Sequence, residues 1–271
     1  MGMPYQLIAI DIDDTLLHSD LTLSDHTVAT IQKAAKMGKF IVLASGRAYS
    51  GIKPFYDIFG IQSPAITFGG NQIMDKDGNA IVTHTVSTPD CKKILELAQE
   101  YGIHAHVYHD GLIWYPKYNK YAQFYADHYG CSGEERADLL SREDLASPKV
   151  LMMEDDTNKI LEIQQRAQKL FPHLNVMRSK PTLLEFTDKS YTKGRALQEL
   201  CDSLGLSIGQ TIAIGDSQID ASMIRAAGLG VAVGNAIDEV KDIADFVAPS
   251  NDQDGVAFTI EKFMIEGGSS Q

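Results

Sequence analysis

The chain has 271 residues, 44% hydrophobic and 22% charged, with a net charge of −12. That length accommodates one large core, or a core with an inserted domain, and the composition excludes disorder as the default state. The acidic balance argues against non-specific nucleic-acid or anionic-membrane binding, so an anionic ligand would need a local positive site or a metal ion.

QLIAI (6–10) reads as a buried strand that runs straight into three carboxylates, Asp11, Asp13 and Asp14. Ser24 is placed to cap a helix over 25–37, with Leu23 and Val28 as its hydrophobic staple and Gly38 as its stop. FIVLA (40–44) and PAITF (64–68) are apolar runs typical of central parallel strands. From about 83 to 190 the pattern changes. Helical stretches at 89–101 and 158–170 stand among strand candidates at 103–109, 112–116, 149–155, 174–179 and 182–187. Alternation then resumes: a helix over 193–204, a strand at 211–214, a helix over 218–227, a strand at 230–233, a helix capped by Asn235, and a strand at 245–248. Such alternation implies a parallel sheet with right-handed crossovers. The expected fold class is α/β: a Rossmann-like three-layer core with a mostly parallel sheet, built from residues 1–82 and 191–271, with an α+β domain over 83–190 inserted into it.

The cysteines, Cys91, Cys131 and Cys201, are odd in number and form no CxxC, which fits incidental thiols in a reducing compartment. MGMPYQ lacks the features of a leader, and no apolar run reaches membrane-spanning length. The expectation is a soluble cytoplasmic protein, monomeric or weakly self-associating, whose EGGSSQ end is a flexible tail.

Ligands of open parallel sheets bind beyond the carboxyl ends of the strands. Asp11, Asp13 and Thr15 follow the first strand, Ser45–Gly46–Arg47 the second, Gly69–Gly70–Asn71 the third, and Asp216 and Asp220 the strand at 211–214. Four strand ends thus bring polar groups to one edge. One acidic loop alone would read as a solvated turn. Asp11, Asp216 and Asp220 offer hard oxygen ligands with no Cys or His nearby, which favours Mg²⁺. Ser45 and the backbone around Gly46 can donate to phosphoryl oxygens, and Lys193 opens a helix whose dipole favours anions. One carboxylate could attack phosphorus, and a second two residues on could protonate the leaving oxygen and then activate water.

DIDDT (11–15), ASGR (44–47), YTKGRAL (191–197) and GDSQID (215–220) resemble, in order, the four motifs of the haloacid dehalogenase-like hydrolases. SNDQDGVA (250–257) and the large insertion resemble the Cof-type sugar-phosphatase branch, with 83–190 as its α/β cap. The resemblance implies a Mg²⁺-dependent phosphatase of small phosphorylated metabolites, working through an aspartyl-phosphate while the cap closes and chooses the substrate. It makes Asp11 the nucleophile and a metal ligand, and Asp13 the general acid/base with its backbone carbonyl on the metal. Asp216 becomes a direct ligand and Asp220 a direct or water-mediated one. Ile12, Ser45 and Gly46 would hold the phosphoryl group, and Lys193 would neutralise it and orient Asp11. Two positions depart from the family pattern. Asp14 stands where Gly is usual, in a turn Asp can tolerate. Ile219 stands where Asn is usual, a loss that Ser217, Gln218 or Asn251 could offset. The alternatives are a phosphomutase and a catalytically weak phospho-ligand-binding protein.

Other features have plainer readings. Asp216 could cap the following helix, whereas Asp220 is expected a turn inside it. Arg47 is either a phosphate partner or a solvated loop residue. His104 and His106 share a strand face but lack an acidic partner, and read as cap surface rather than a metal site. GLGVAVG (228–234) ends a helix and opens a strand, the reverse of a dinucleotide motif. Trp114, Tyr115, Tyr118, Tyr121 and Tyr125 read as cap core.

Overall fold

The computed structural model describes residues 5–129 and 131–266, so the expected tail beyond 266 lies outside the described residues. The chain forms two compact units, residues 1–82 with 191–271, and residues 83–190.

The first unit opens with β1 (Leu7–Ile10), α1 (Asp25–Lys36), β2 (Phe40–Ala44), α2 (Lys53–Phe59), β3 (Ala65–Thr67), β4 (Gln72–Met74) and β5 (Ala80–Thr83). Then come the elements of the second unit: α3 (Thr88–Tyr101), β6 (His104–His109), β7 (Leu112–Tyr115), α4 (Lys120–Tyr129), β8 (Gly133–Glu135), β9 (Val150–Met153), α5 (Thr157–Leu170), β10 (Leu174–Lys180) and β11 (Leu183–Asp188). The first unit resumes with α6 (Lys193–Leu204), β12 (Thr211–Gly215), α7 (Ala221–Ala226), β13 (Leu229–Ala232), α8 (Asp238–Lys241), β14 (Phe246–Val247) and α9 (Gly255–Ile260).

The larger sheet has the order β14-β13-β12-β1-β2-β3-β4-β5. It is parallel from β14 to β3, and β4 turns back antiparallel to β3. The central strand β1 is buried on both faces, which explains its unbroken apolar run. Ile8 and Ile10 pack with Ile31 of α1, Tyr56 and Phe59 of α2, and Ile260 of α9. Leu7 and Ala9 face the other way, against Ala196, Leu197 and Leu200 of α6 and Met223 of α7. The result is a three-layer α/β core. Ile10 pairs with both Leu43 and Ile214, so β1, β2 and β12 end at one level. After β1 the chain builds the sheet to one side through β2 and β3, and later to the other through β12 and β13. The strand order reverses at β1 and β12, where such folds leave a crevice.

The second unit has its own sheet, β10-β11-β9-β6-β7-β8. Ala105 and Val107 pack with Ile94 and Leu95 of α3 and Ile160 and Ile163 of α5. The opposite side of β6 carries His104, His106 and Tyr108. His106 lies with its ring centroid 4.7 Å from that of Tyr125 in α4.

Several expectations need correction. Among the described residues the inserted segment has three α-helices rather than two, because the tyrosine-rich stretch after residue 119 is α4. His104 and His106 are not surface groups; they are buried, 4% and 0% exposed, and bonded to each other at 3.0 Å. Burial pushes the His104 ring down to about 4 and holds His106 well below its ordinary value, so both are neutral at ordinary pH. Among the aromatics, Trp114, Tyr115 and Tyr125 are core, but Tyr118 is half exposed. The helix expected from 218 starts only at Ala221. Asn235 is no cap either: α8 begins after Ile237, and the Asn235 side chain reaches elsewhere. Ser24 does cap α1, accepting a hydrogen bond from Thr27 N.

Candidate active site

Asp11 is the first residue beyond β1, and its N–H still donates to Ile214 O of β12 at 3.1 Å, so pairing fixes where its side chain emerges. The chain then tightens into a turn. Leu16 N donates to Asp11 O and Leu17 N to Ile12 O. Asp14 has φ +60, the left-handed region that Asp enters at lower cost than most side chains. Asn235 fastens this turn, donating from its amide to Asp14 O at 2.7 Å, and Asn251 does the same to Leu17 O at 3.0 Å.

Lys193, at the first position of α6, is completely buried, and its ammonium sits between two carboxylates. It donates to Asp11 Oδ1 at 2.5 Å and to Asp220 Oδ1 at 2.6 Å. Burial by itself would lower the Lys193 pKa, but the charges of Asp11 and Asp220 outweigh it and hold it above the ordinary value. Asp220 stands at the head of α7, not a turn inside. Its second oxygen, Oδ2, gathers Asp216 N, Ser217 N and Ser217 Oγ at 2.8–3.2 Å, which fixes the loop after β12. Asp216 is not used as a cap; its Oδ1 accepts from Thr15 Oγ1 at 2.8 Å.

Glycines set these approaches. Gly70 has φ +108, and a Cβ there would lie 2.3 Å from the Thr192 carbonyl carbon. A Cβ on Gly215 would lie 2.5 Å from the Asp220 Cβ. Neither requirement shows in the local sequence, because the neighbour each glycine admits belongs to a distant segment or another element.

Ligand atoms of Asp11, Asp216 and Asp220 all lie within 4.8 Å of one another. Burial raises the Asp11 carboxyl well above the usual carboxylate range; Asp220 adds to this and Lys193 opposes it. Asp216 is pushed up to about 6, by burial first and by Asp220 next. With all three carboxylates ionised, one ammonium would leave two negative charges in a cluster whose Asp11 and Asp220 are buried and whose Asp216 is half-buried. That balance and the all-oxygen donor set fit one hard divalent cation.

The remaining sequence candidates divide. Ile12 and Ser45 are buried beside Asp11 and at the end of β2. Arg47 N donates to Ser45 Oγ at 3.2 Å, and a Cβ on Gly46 would meet nothing within 4 Å. The Arg47 side chain is only 17% exposed, so it is not a solvated loop residue. It grips Asp13 with Nε to Oδ2 at 2.9 Å and Nη2 to Oδ1 at 2.7 Å. Asn71 donates to Phe68 O, while its buried Oδ1 has no hydrogen-bond partner. Asn251 donates to Leu17 O and Ser217 Oγ to Asp220 Oδ2, while Gln218 is exposed. Ile219 instead lies against Gly69, 3.2 Å from where a Cβ would stand.

Residues 8–260 match the haloacid dehalogenase-like hydrolases. The chain is 29% identical over 260 residues to the 5-amino-6-(5-phospho-D-ribitylamino)uracil phosphatase YcsE of Bacillus subtilis, covering 96% of each chain. It is 28% identical over 272 residues to a second phosphatase of that name and organism, YitU, covering 96% of this chain and 98% of the relative. Its fold superposes on a haloacid dehalogenase-like hydrolase from Bacteroides thetaiotaomicron with a TM-score of 0.87 at 29% identity, covering 95% and 99% of the two chains. The chain therefore belongs to the haloacid dehalogenase-like hydrolase family and is a phosphoric monoester hydrolase.

Proposed function

We propose that this chain is a Mg²⁺-dependent phosphatase of small phosphorylated metabolites, with sugar and sugar-alcohol phosphates the leading candidates, acting through an aspartyl-phosphate. The observation that carries the reading is the buried group of Asp11, Asp216, Asp220 and Lys193 at the carboxyl ends of β1 and β12. Asp11 and Asp216, with the backbone carbonyl of Asp13, would hold the ion, and Asp220 would join them directly or through a water. When bound, Mg²⁺ would draw charge from a phosphoryl oxygen and offset the two excess negative charges. The substrate proposal leans on the two Bacillus subtilis relatives, whose named substrate carries its phosphate on a sugar alcohol.

The protein's own groups supply the remaining chemistry. Lys193 holds Asp11 by one oxygen, which leaves the other to face phosphorus. Ser45, with the backbone of Ile12 and Gly46, would receive the phosphoryl oxygens. Asp11 attacks, the phosphorus–oxygen bond to the alcohol breaks, and Asp13 gives its proton to the leaving oxygen. In the second half Asp13 takes a proton from water as that water displaces Asp11 from phosphorus.

The test is a phosphate-release screen over phosphorylated sugars and polyols, with Mg²⁺ and with EDTA, beside Asp11→Asn. Release should need Mg²⁺ and fall at least about 1,000-fold in the variant, since no nucleophile remains. Equal release by Asp11→Asn would refute the nucleophile. Transfer to a second hydroxyl without free phosphate would mark a mutase instead.

A further inference from the structure

The Asp13–Arg47 pair is not explained by the reading above, which needs Asp13 as a proton carrier and makes no use of Arg47. Its geometry is specific. The two nitrogens of one guanidinium edge meet the two oxygens of one carboxylate, at 2.9 and 2.7 Å, the parallel fork that gives Arg–carboxylate pairs their directionality. Arg47 is itself held from behind. Its Nη1 donates to Gly51 O at 3.4 Å, and its guanidinium carbon lies 5.6 Å from the centre of the Phe55 ring. The Arg47 side chain is 17% exposed and that of Asp13 46%. A well-anchored arginine from the loop after β2 thus sets the direction of a half-exposed carboxylate from the loop after β1.

We propose that Arg47 is the positioning residue of Asp13, fixing the direction in which that carboxylate serves the leaving group, rather than a ligand of the phosphoryl group. This rests on the phosphatase reading. The fork fits the ionised carboxylate with both oxygens engaged. Asp13 becomes that ion as its proton passes to the leaving oxygen and the phosphorus–oxygen bond breaks. The fork therefore receives that carboxylate in a single orientation. The same ion, already aimed, is what takes the proton from water afterwards. A lysine could keep the charge but not the two-point direction.

This role has a signature that a structural role lacks. An alcohol leaving group needs the proton, whereas p-nitrophenolate leaves without it. The measurement is kcat/KM, which reads the steps up to the phosphoenzyme, for an alkyl phosphate that the parent hydrolyses and for p-nitrophenyl phosphate. The parent, Arg47→Ala, Arg47→Lys and Asp13→Asn are compared. Arg47→Ala should lose roughly 10- to 100-fold on the alkyl ester, within the range of general acid catalysis, and less than about threefold on p-nitrophenyl phosphate. Arg47→Lys should recover part of the loss. Adding Arg47→Ala to Asp13→Asn should change little, because the two act as one unit. An equal loss on both esters, with weaker inhibition by inorganic phosphate, would overturn the proposal and make Arg47 a phosphate ligand. No loss on either would overturn it as well. A parent that releases no phosphate from any ester would instead remove the phosphatase reading, so the two failures are told apart.

Discussion

At the scale of single residues, the site crowds three carboxylates and one ammonium together, and Asp216 makes this crowding measurable. Its carboxyl stands at about 6 in the fold against 3.8 as the ordinary value. Between those values the folded chain holds a proton that the unfolded chain does not. The metal-free protein therefore loses stability from this group as pH rises from 4 towards 7. The loss should be about 2–3 kcal/mol, and Asp216→Asn should lack it. Chemical unfolding of both proteins in EDTA at pH 5 and pH 7 reads the difference, and Mg²⁺ should shrink it at pH 7. A parent–variant difference that stays flat with pH would contradict the crowding of charge. Asp11 and Asp216 were legible in the sequence because each follows a strand whose pattern is plain, whereas Lys193, an ordinary first-turn lysine by itself, stood out only by its register with the family motif. The grip of Arg47 on Asp13 was not, since 34 positions separate them and neither motif demands the other. The buried histidines were misread for a related reason: strand period tells which side chains share a face, but not that α4 covers that face.

At the scale of elements, the site depends on how closely the loop after β3 approaches the head of α6. Gly70 makes that contact, with both a left-handed φ and no room for a Cβ. Gly70→Ala should push back Thr192 and Lys193, destabilise the protein by at least about 2 kcal/mol, and lower phosphate release with it. Thermal unfolding beside the release assay checks this; a variant with unchanged midpoint and rate would show that the contact is dispensable. The main strands and the longer helices could be read because burial on both sides of a parallel sheet leaves unbroken apolar runs, and because caps such as Ser24 act within one turn. Short elements left no such trace. α2 spans two turns, β4 and β5 at one end of the sheet have only three and four residues, and α7 starts late because the preceding loop folds back onto Asp220 Oδ2. Asn235 looked like a cap in isolation, yet its amide serves the turn at Asp14, 221 positions away.

At the scale of the whole molecule, each unit carries a separate apolar core. The one built on β6, β9, α3 and α5 draws its buried cluster from residues 86–186. Residues 83–190 made alone should therefore fold cooperatively, with the near-ultraviolet signal of packed aromatics, and release no phosphate. A non-cooperative, unfolded segment would show that its core needs the rest of the chain. Among the described residues no helix is long and apolar enough to cross a membrane. What the rest of the chain provides is the convergence of segments around residues 11, 193 and 216 on one acidic cluster that could hold an ion. Anomalous diffraction from crystals soaked in Mn²⁺ tests that most directly. One peak is expected within coordination distance of both Asp11 and Asp216, absent in Asp216→Asn. A peak bound to neither, or none at a concentration that supports turnover, would contradict the metal-assisted phosphoryl transfer proposed for this chain.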